Sequence, residues 1–511
     1  MNQSKSICKV WCVLAIAACL LIAPMVRADV RLPALFSDNM VLQQGMKVAV
    51  WGWAEDGEQV TVTFRGQTVK TTATGGKWMV TLKKLKAGGP DTLKVSGKNS
   101  IEFKNVLVGE VWVCSGQSNM EFAMKNSFES GADVSAATNG QIRLFLVNKL
   151  KANQPTNDVK GAWRVCNPQD AAGFSAVAYY FGRDLQAARG VPVGLIDSCW
   201  GGSPAEVWMR KEVLEANPRY KRDILDGYWT EEKNYEAAMT AFEKERESAK
   251  ASGAGFNKRA PNAPYWKPTE LYDGMIAPLI PYAIKGAIWY QGESNAGRAE
   301  QYRSLFADMI RNWRADWKEG DFTFLEVQLA PFNPIKDQPG DSTWAELREA
   351  QLLATKTLPK VGMAVITDVG DPKDIHPKKK QPVGARLALA ARGIAYGENI
   401  VFSGPIYKSM KVDGNKAILS FDHVEGGLEA RDGALKGFAI CGDDHKFVWA
   451  TAEIEGHGSR SRVVVSAPEV AHPVAVRFGW ADCPVVNFWN HAGLPATPFR
   501  TDDFPMITAG K

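Results

Sequence analysis

From Val30 to about Phe103, apolar residues come in short runs: Val48-Ala49-Val50-Trp51, Val60-Thr61-Val62-Thr63-Phe64, Trp78-Met79-Val80-Thr81-Leu82 and Leu93-Lys94-Val95. Glu55-Asp56-Gly57, Gly75-Gly76 and Gly88-Gly89 break them. Short strands with such turns predict a small β-sandwich over residues 29–105. From Val106 the texture changes. Continuous apolar runs at 111–114, 142–146, 193–196, 284–290, 322–329 and 363–367 read as buried strands, and helical-period segments lie between them. Ser175 to Arg189 carries Val177, Tyr180, Phe181 and Leu185 on one face and stops at Gly190. Glu300 to Trp317 does the same with Leu305, Phe306, Met309 and Trp313, and Gln381 to Tyr396 stops at Gly397. This alternation predicts an α/β region over 106–398, built on a mostly parallel sheet covered on both faces. The charged, helical stretch from Arg219 to Lys250 and the loose one from Ala251 to Pro268 read as an insertion at about 211–268, either a lid or a solvated surface helix. Short strands return over 399–511, at Ala417–Phe421, Phe438–Ile440, Val463–Val465 and Val474–Phe478, and predict a second sandwich-like β region.

Parallel sheets hold their ligands beyond the strand carboxyl ends. Ser118, Gly202, Glu293 and His376 each follow a predicted strand, which allows them to share one crevice. Gly116-Gln117-Ser118 supplies half of a nucleophile elbow, but Met120 replaces its second glycine. Ser118 or Asn119 as a helix N-cap is the plainer reading. A serine nucleophile needs a base, and the base needs an orienting acid. Of the six histidines, His376 is the one in the α/β region. Asp374 is the nearest acid, with Asp371 and Glu293 as competitors. Oxyanion donors are expected from the Ser118 amide, from Trp200-Gly201-Gly202, where glycine lets backbone approach a ligand, and from a side-chain amide. There is no His-Glu-x-x-His, P-loop or paired Cys-x-x-Cys string, and neither a metal nor another cofactor is expected.

Four blocks, in order, resemble the SGNH-type esterases and most closely the sialate O-acetylesterases: Gly116-Gln117-Ser118-Asn119-Met120, then Gly194–Asp197 with Trp200–Glu206, then Ile288–Asn295, then Asp374-Ile375-His376-Pro377. The resemblance runs from about Pro33 to Phe504. It implies an SGNH-hydrolase-like three-layer core and a serine esterase acting on acetylated sugar, 9-O-acetylated sialic acid foremost. It further implies Ser118 as nucleophile, His376 as base, and Gly202 with Asn295 in the oxyanion hole, with Gln291 as an alternative donor. The acid of the family's last block stands three residues before the histidine. Here Lys373 is there and Asp374 stands two before. Related families extend the readings to an acetylesterase for acetylated xylan. A glycan-binding protein without activity is the rival of another class. A sugar-binding role for the N-terminal β region is also open, with Trp51, Trp53 and Trp78 as platforms, although strand tryptophans more often belong to a core.

Lys5 and Lys9 precede an apolar run from Val10 to Val26, and Val26-Arg27-Ala28 fits a cleavage site. This predicts a signal peptide over 1–28 and a secreted or periplasmic protein without stable membrane insertion. Lipidation at Cys19 is the alternative. Loss of the leader takes the formal charge from +5 to +2, which offers nothing to nucleic acid. Five cysteines then remain, an odd number and no disulfide scaffold. The sequence does not specify an oligomer.

Overall fold

The computed structural model describes residues 29–511, and the predicted leader, with Cys19, lies outside the described residues. One strand organises the rest. Ser100–Gly116 (β1) is 17 residues long, and its burial pattern changes midway. Residues 100–105 alternate exposed with half-buried, and everything from Val106 to Gly116 is buried. The first half pairs antiparallel with Gly88–Ser96 of the N-terminal β region. The second half runs between two parallel neighbours, where both faces are covered and the alternation disappears.

The remaining strands of the central sheet are Asn139–Leu146 (β2), Trp163–Cys166 (β3), Val193–Cys199 (β4), Gly286–Tyr290 (β5), Thr323–Val327 (β6) and Val361–Ala364 (β7). Their order is β7-β6-β5-β1-β4-β2-β3, all parallel except β3 at the edge. The chain moves from β1 out to β2, returns to β4 beside β1, and crosses to β5 on the other side. Strand order therefore reverses at the carboxyl end of β1, where such sheets open a crevice.

Successive residues of β1 face opposite ways. Val111 and Val113 join a core cluster with Leu305 and Trp313, whereas Trp112 and Cys114 join a separate one with Phe181 and Leu387. Ala176–Arg189 (α1) packs on Gln381–Ile394 (α5) in the second cluster. Ala299–Trp317 (α3) packs on Thr343–Thr357 (α4) in the first. Ser175 caps α1 by accepting from the Ala178 amide, and Gly190 ends it at φ +63°. The charged helix Gly227–Ser252 (α2) buries no residue, as a solvated surface helix would. The N-terminal hydrophobics continue into the first cluster. The C-terminal region has two four-stranded antiparallel sheets around one further cluster that includes Leu419, Ile440, Val463 and Phe478. The whole is a mixed α/β architecture with a large mixed sheet and additional β-rich regions.

Three elements depart from the pattern reading. Helix α4 was hidden by buried polar residues in its stripe: Arg348 is fully buried and donates to the carbonyls of Leu329 (2.8 Å), Ala481 (2.7 Å) and Asp482 (2.8 Å). Strand β7 ends at Ala364 rather than Thr367, because Ile366 stays apolar as a loop residue packed in the second cluster. Of the three tryptophans, only Trp78 is buried, at 3% exposure. Trp51 packs edge-on against Phe36 at 4.8 Å and lines, with Trp53 and Pro278, an open cavity of about 430 Å³. Cys114, Cys166, Cys199, Cys441 and Cys483 are all buried free thiols. Among the described residues no helix is long and apolar enough to cross a membrane.

Candidate active site

Beyond Gly116 the chain turns at Gln117 into the short helix Ser118–Glu121. Ser118 is the first helical residue rather than the cap, so its N–H has no acceptor within the helix. His376 lies in the loop between β7 and α5. Its Nε2 stands 2.8 Å from Ser118 Oγ. Burial lowers the His376 pKa below the usual imidazole value and the Lys380 charge lowers it further, while Asp374 opposes both. A neutral imidazole at that distance can take a hydroxyl proton.

Asp374 turns one carboxylate oxygen toward this histidine. Its Oδ1 accepts the His376 backbone N–H at 2.9 Å and lies 3.8 Å from the ring Nδ1. Asp371 instead accepts the Lys373 backbone N–H. Glu293 faces Asn119, whose Nδ2 donates to Glu293 Oε1 (2.6 Å) and to the Ile375 carbonyl (3.0 Å). Lys380 Nζ donates to Asn119 Oδ1 at 2.5 Å. Lys380 is 1% exposed, and burial pushes its pKa down to about 7, against the pull of Glu293 and Asp374. Burial also raises the Glu293 pKa, against the Asn119 hydrogen bond and the Lys380 charge.

The loop after β4 closes the other side. Trp200 N–H donates to the Gly116 carbonyl (3.1 Å), and Gly201 N–H donates to Glu121 Oε2 (2.6 Å). A Cβ on Gly201 would stand 3.1 Å from Ser118 Cβ, too tight for a side chain to be added freely. Gly202 is exposed and takes φ +78°, where a side chain would be strained. Its carbonyl accepts from Ser294 Oγ at 2.9 Å, which ties this loop to the one after β5.

The two candidate side-chain amides are buried beneath that tie. Gln291 Nε2 donates to the Ser203 carbonyl (3.2 Å) and to Asn295 Oδ1 (2.7 Å), which uses both of its hydrogens. Asn295 Nδ2 donates to Glu206 Oε2 (2.9 Å), and its second hydrogen is not engaged there. Lys380 and Glu121 are residues for which the sequence suggested no role, and Asn119, expected as an N-cap, instead links Glu293 to Lys380. Lys380 had a signal: with Val383, Gly384 and Leu387 it stands in register with the apolar stripe of α5. Among the described residues no three His, Cys, Asp or Glu side chains gather into a group that could hold a metal ion.

A family model described as a carbohydrate esterase, sialic acid-specific acetylesterase, matches residues 260–392. The sialate O-acetylesterase of Rattus norvegicus is 30% identical over 520 residues, covering 91% of this chain and 93% of the relative. The sialate O-acetylesterase of Homo sapiens is 29% identical, covering 92% of each. The crystal structure of a carbohydrate acetylesterase from Xanthomonas citri superposes with a TM-score of 0.80 at 40% identity, over 93% of this chain and 100% of that one. A hydroxyl and an imidazole in hydrogen-bond contact at a strand-order reversal, in a chain alike to these relatives over nearly its whole length, support one assignment: the chain belongs to the sialate O-acetylesterase family.

Proposed function

We propose that this protein removes O-acetyl groups from carbohydrate, with 9-O-acetylated sialic acid as the substrate, through an acetyl-serine intermediate. The observation that carries the reading is the 2.8 Å contact between Ser118 Oγ and His376 Nε2. Ser118 Oγ attacks the acetyl carbonyl carbon while its proton passes to His376 Nε2. The Asp374 carboxylate moves in from 3.8 Å to hold Nδ1–H and stabilises the imidazolium. Catalytic hydrogen bonds are often this long before substrate binds. The Ser118 and Gly202 amides, with the spare hydrogen of Asn295, receive the negative charge that develops on the carbonyl oxygen. Gln291 supports that wall, since its own hydrogens are spent. The tetrahedral intermediate then expels the sugar oxygen, which takes the proton from His376. Water attacks the acetyl-serine with His376 again as base, the bond to Ser118 Oγ breaks, Oγ takes the proton back from His376, and acetate leaves.

The wider architecture in this proposal is an SGNH-hydrolase-like three-layer core over 106–398, between sandwich-like regions at 29–105 and 399–511, made with a leader at 1–28 and secreted or periplasmic. Acetate and free sugar released from 9-O-acetyl-N-acetylneuraminic acid and from acetylated xylan, assayed side by side, test the reading. Release from xylan alone moves the protein to the polysaccharide acetylesterases. Glycan binding without release from either makes it a binding protein.

A further inference from the structure

The segment that follows helix α2 comes back to the ester site. A Cβ on Gly202 would stand 3.9 Å from Trp266 Nε1, so Trp266 borders the exposed Gly202 turn. Trp266 meets Trp200 edge-to-face at 5.6 Å and Tyr265 at 4.7 Å. Trp200 belongs to the loop that touches Ser118, and Tyr265 is 64% exposed. Three aromatic rings thus form a connected wall that starts in the loop beside Ser118 and ends in solvent.

The wall is anchored deliberately. Lys151 Nζ lies 4.4 Å from the Trp266 ring centroid and 4.3 Å from that of Tyr265, donates to the Tyr265 carbonyl, and pairs with Glu270 at 2.9 Å. Glu270 also accepts the Lys267 N–H at 3.1 Å. On the inner side Lys149 sits 5.2 Å from the Trp200 ring centroid and pairs with Glu121. Both lysines are therefore paired with carboxylates. What the wall offers a ligand is ring surface, the kind that takes the C–H face of a sugar.

We propose that Trp200, Tyr265 and Trp266 form the sugar-binding wall of the ester site, so that the 211–268 insertion selects the carbohydrate part of the substrate without taking part in acetyl transfer. This rests on the ester-hydrolase reading given above. The test separates sugar from acetyl group. Trp266→Ala, Trp266→Phe and Tyr265→Ala are compared with the wild type on 9-O-acetyl-N-acetylneuraminic acid and on p-nitrophenyl acetate, which has no sugar. Trp266→Ala raises KM for the acetylated sugar about 10-fold, equivalent to about 1.4 kcal/mol of lost contact. Its kcat and KM on p-nitrophenyl acetate stay within about twofold. Trp266→Phe recovers part of the loss, and the exposed Tyr265→Ala shows a smaller change of the same kind. Equal losses on both esters would mean that Trp266 only props the Gly202 turn, and an unchanged sugar KM in all three variants would remove the wall from the site; either overturns the proposal. A wild type that hydrolyses p-nitrophenyl acetate but no acetylated sugar defeats the substrate reading instead, before any variant is made.

Discussion

Two sets of three residues stand one above the other at the carboxyl end of the sheet, and they have matching parts. The upper set is Ser118, His376 and Asp374. The lower is Asn119, Lys380 and Glu293. Each has a small polar side chain from the turn after β1, a base from the segment leading into α5, and a carboxylate. They differ in contact with water. The side chains of His376 and Asp374 are 37% and 44% exposed, whereas Asn119 and Lys380 are 1% exposed. In the open set the groups are loosely coupled and able to change protonation during a reaction. In the closed set, hydrogen bonds of 2.5 and 2.6 Å tie the members together through Asn119, while burial pushes both Lys380 and Glu293 toward their neutral forms. Asn119 Nδ2 also holds the Ile375 carbonyl, so the lower set fixes the backbone beside His376. In the proposed mechanism nearly the same chemistry thus serves reaction in one place and position in the other.

The sharpest way to break this division is Ser118→Ala. It lowers turnover by about 10⁴-fold or more while leaving the melting temperature near wild type, as in other triads; an active variant ends the assignment. Asp374→Asn comes next, with kcat down by about 10³-fold in a folded protein. Should that variant keep wild-type activity while a folded Glu293→Gln loses it, the acid is Glu293 and the two carboxylates exchange roles. Lys380→Met acts on the lower set and is read first by denaturant unfolding. Removing the ammonium leaves the buried Asn119 Oδ1 without its donor, which costs about 1–3 kcal/mol of stability.

The same variant sharpens the comparison through pH. His376 must be neutral to accept a proton, and burial and Lys380 hold its pKa below the ordinary 6.5, so the acid limb of the kcat/KM profile lies below that value. Removing the Lys380 charge favours the imidazolium, and the limb moves to higher pH. The smallest effect expected is from prolonged EDTA treatment, which leaves activity unchanged; loss restored by Zn²⁺ would place a metal in the upper set.

How much of this could be read from the chain depended on whether neighbours in space were also neighbours in pattern. Helices α1 and α3 were visible because of their apolar stripes, and α1 also because Gly190 marks its end, where it takes positive φ. Ser118, Gly202, Glu293 and His376 were visible because each follows a strand end. Lys380 was not, because the run Lys378-Lys379-Lys380 looks like a solvated charge cluster and only its third member turns inward. The amide donors were ranked by family position, and only the geometry shows that Gln291 has both hydrogens committed. The expected boundary at 105/106 reflects a real change of period, but it falls inside β1, where the strand passes from a half-wet hairpin to a fully covered sheet.

That continuity has a consequence for how the molecule comes apart. The strand that presents Ser118 is hydrogen-bonded at its other end to the N-terminal β region, so the region is a splice in the central beam rather than an ornament bolted to it. Cutting the chain before Val106 would strip β1 of its Gly88–Ser96 and Val41–Gln43 partners and bare a row of unpaired amides. The first 70 or so described residues and the turn that carries Ser118 should therefore melt as one unit, with amide exchange in both halves of β1 slowing and quickening together.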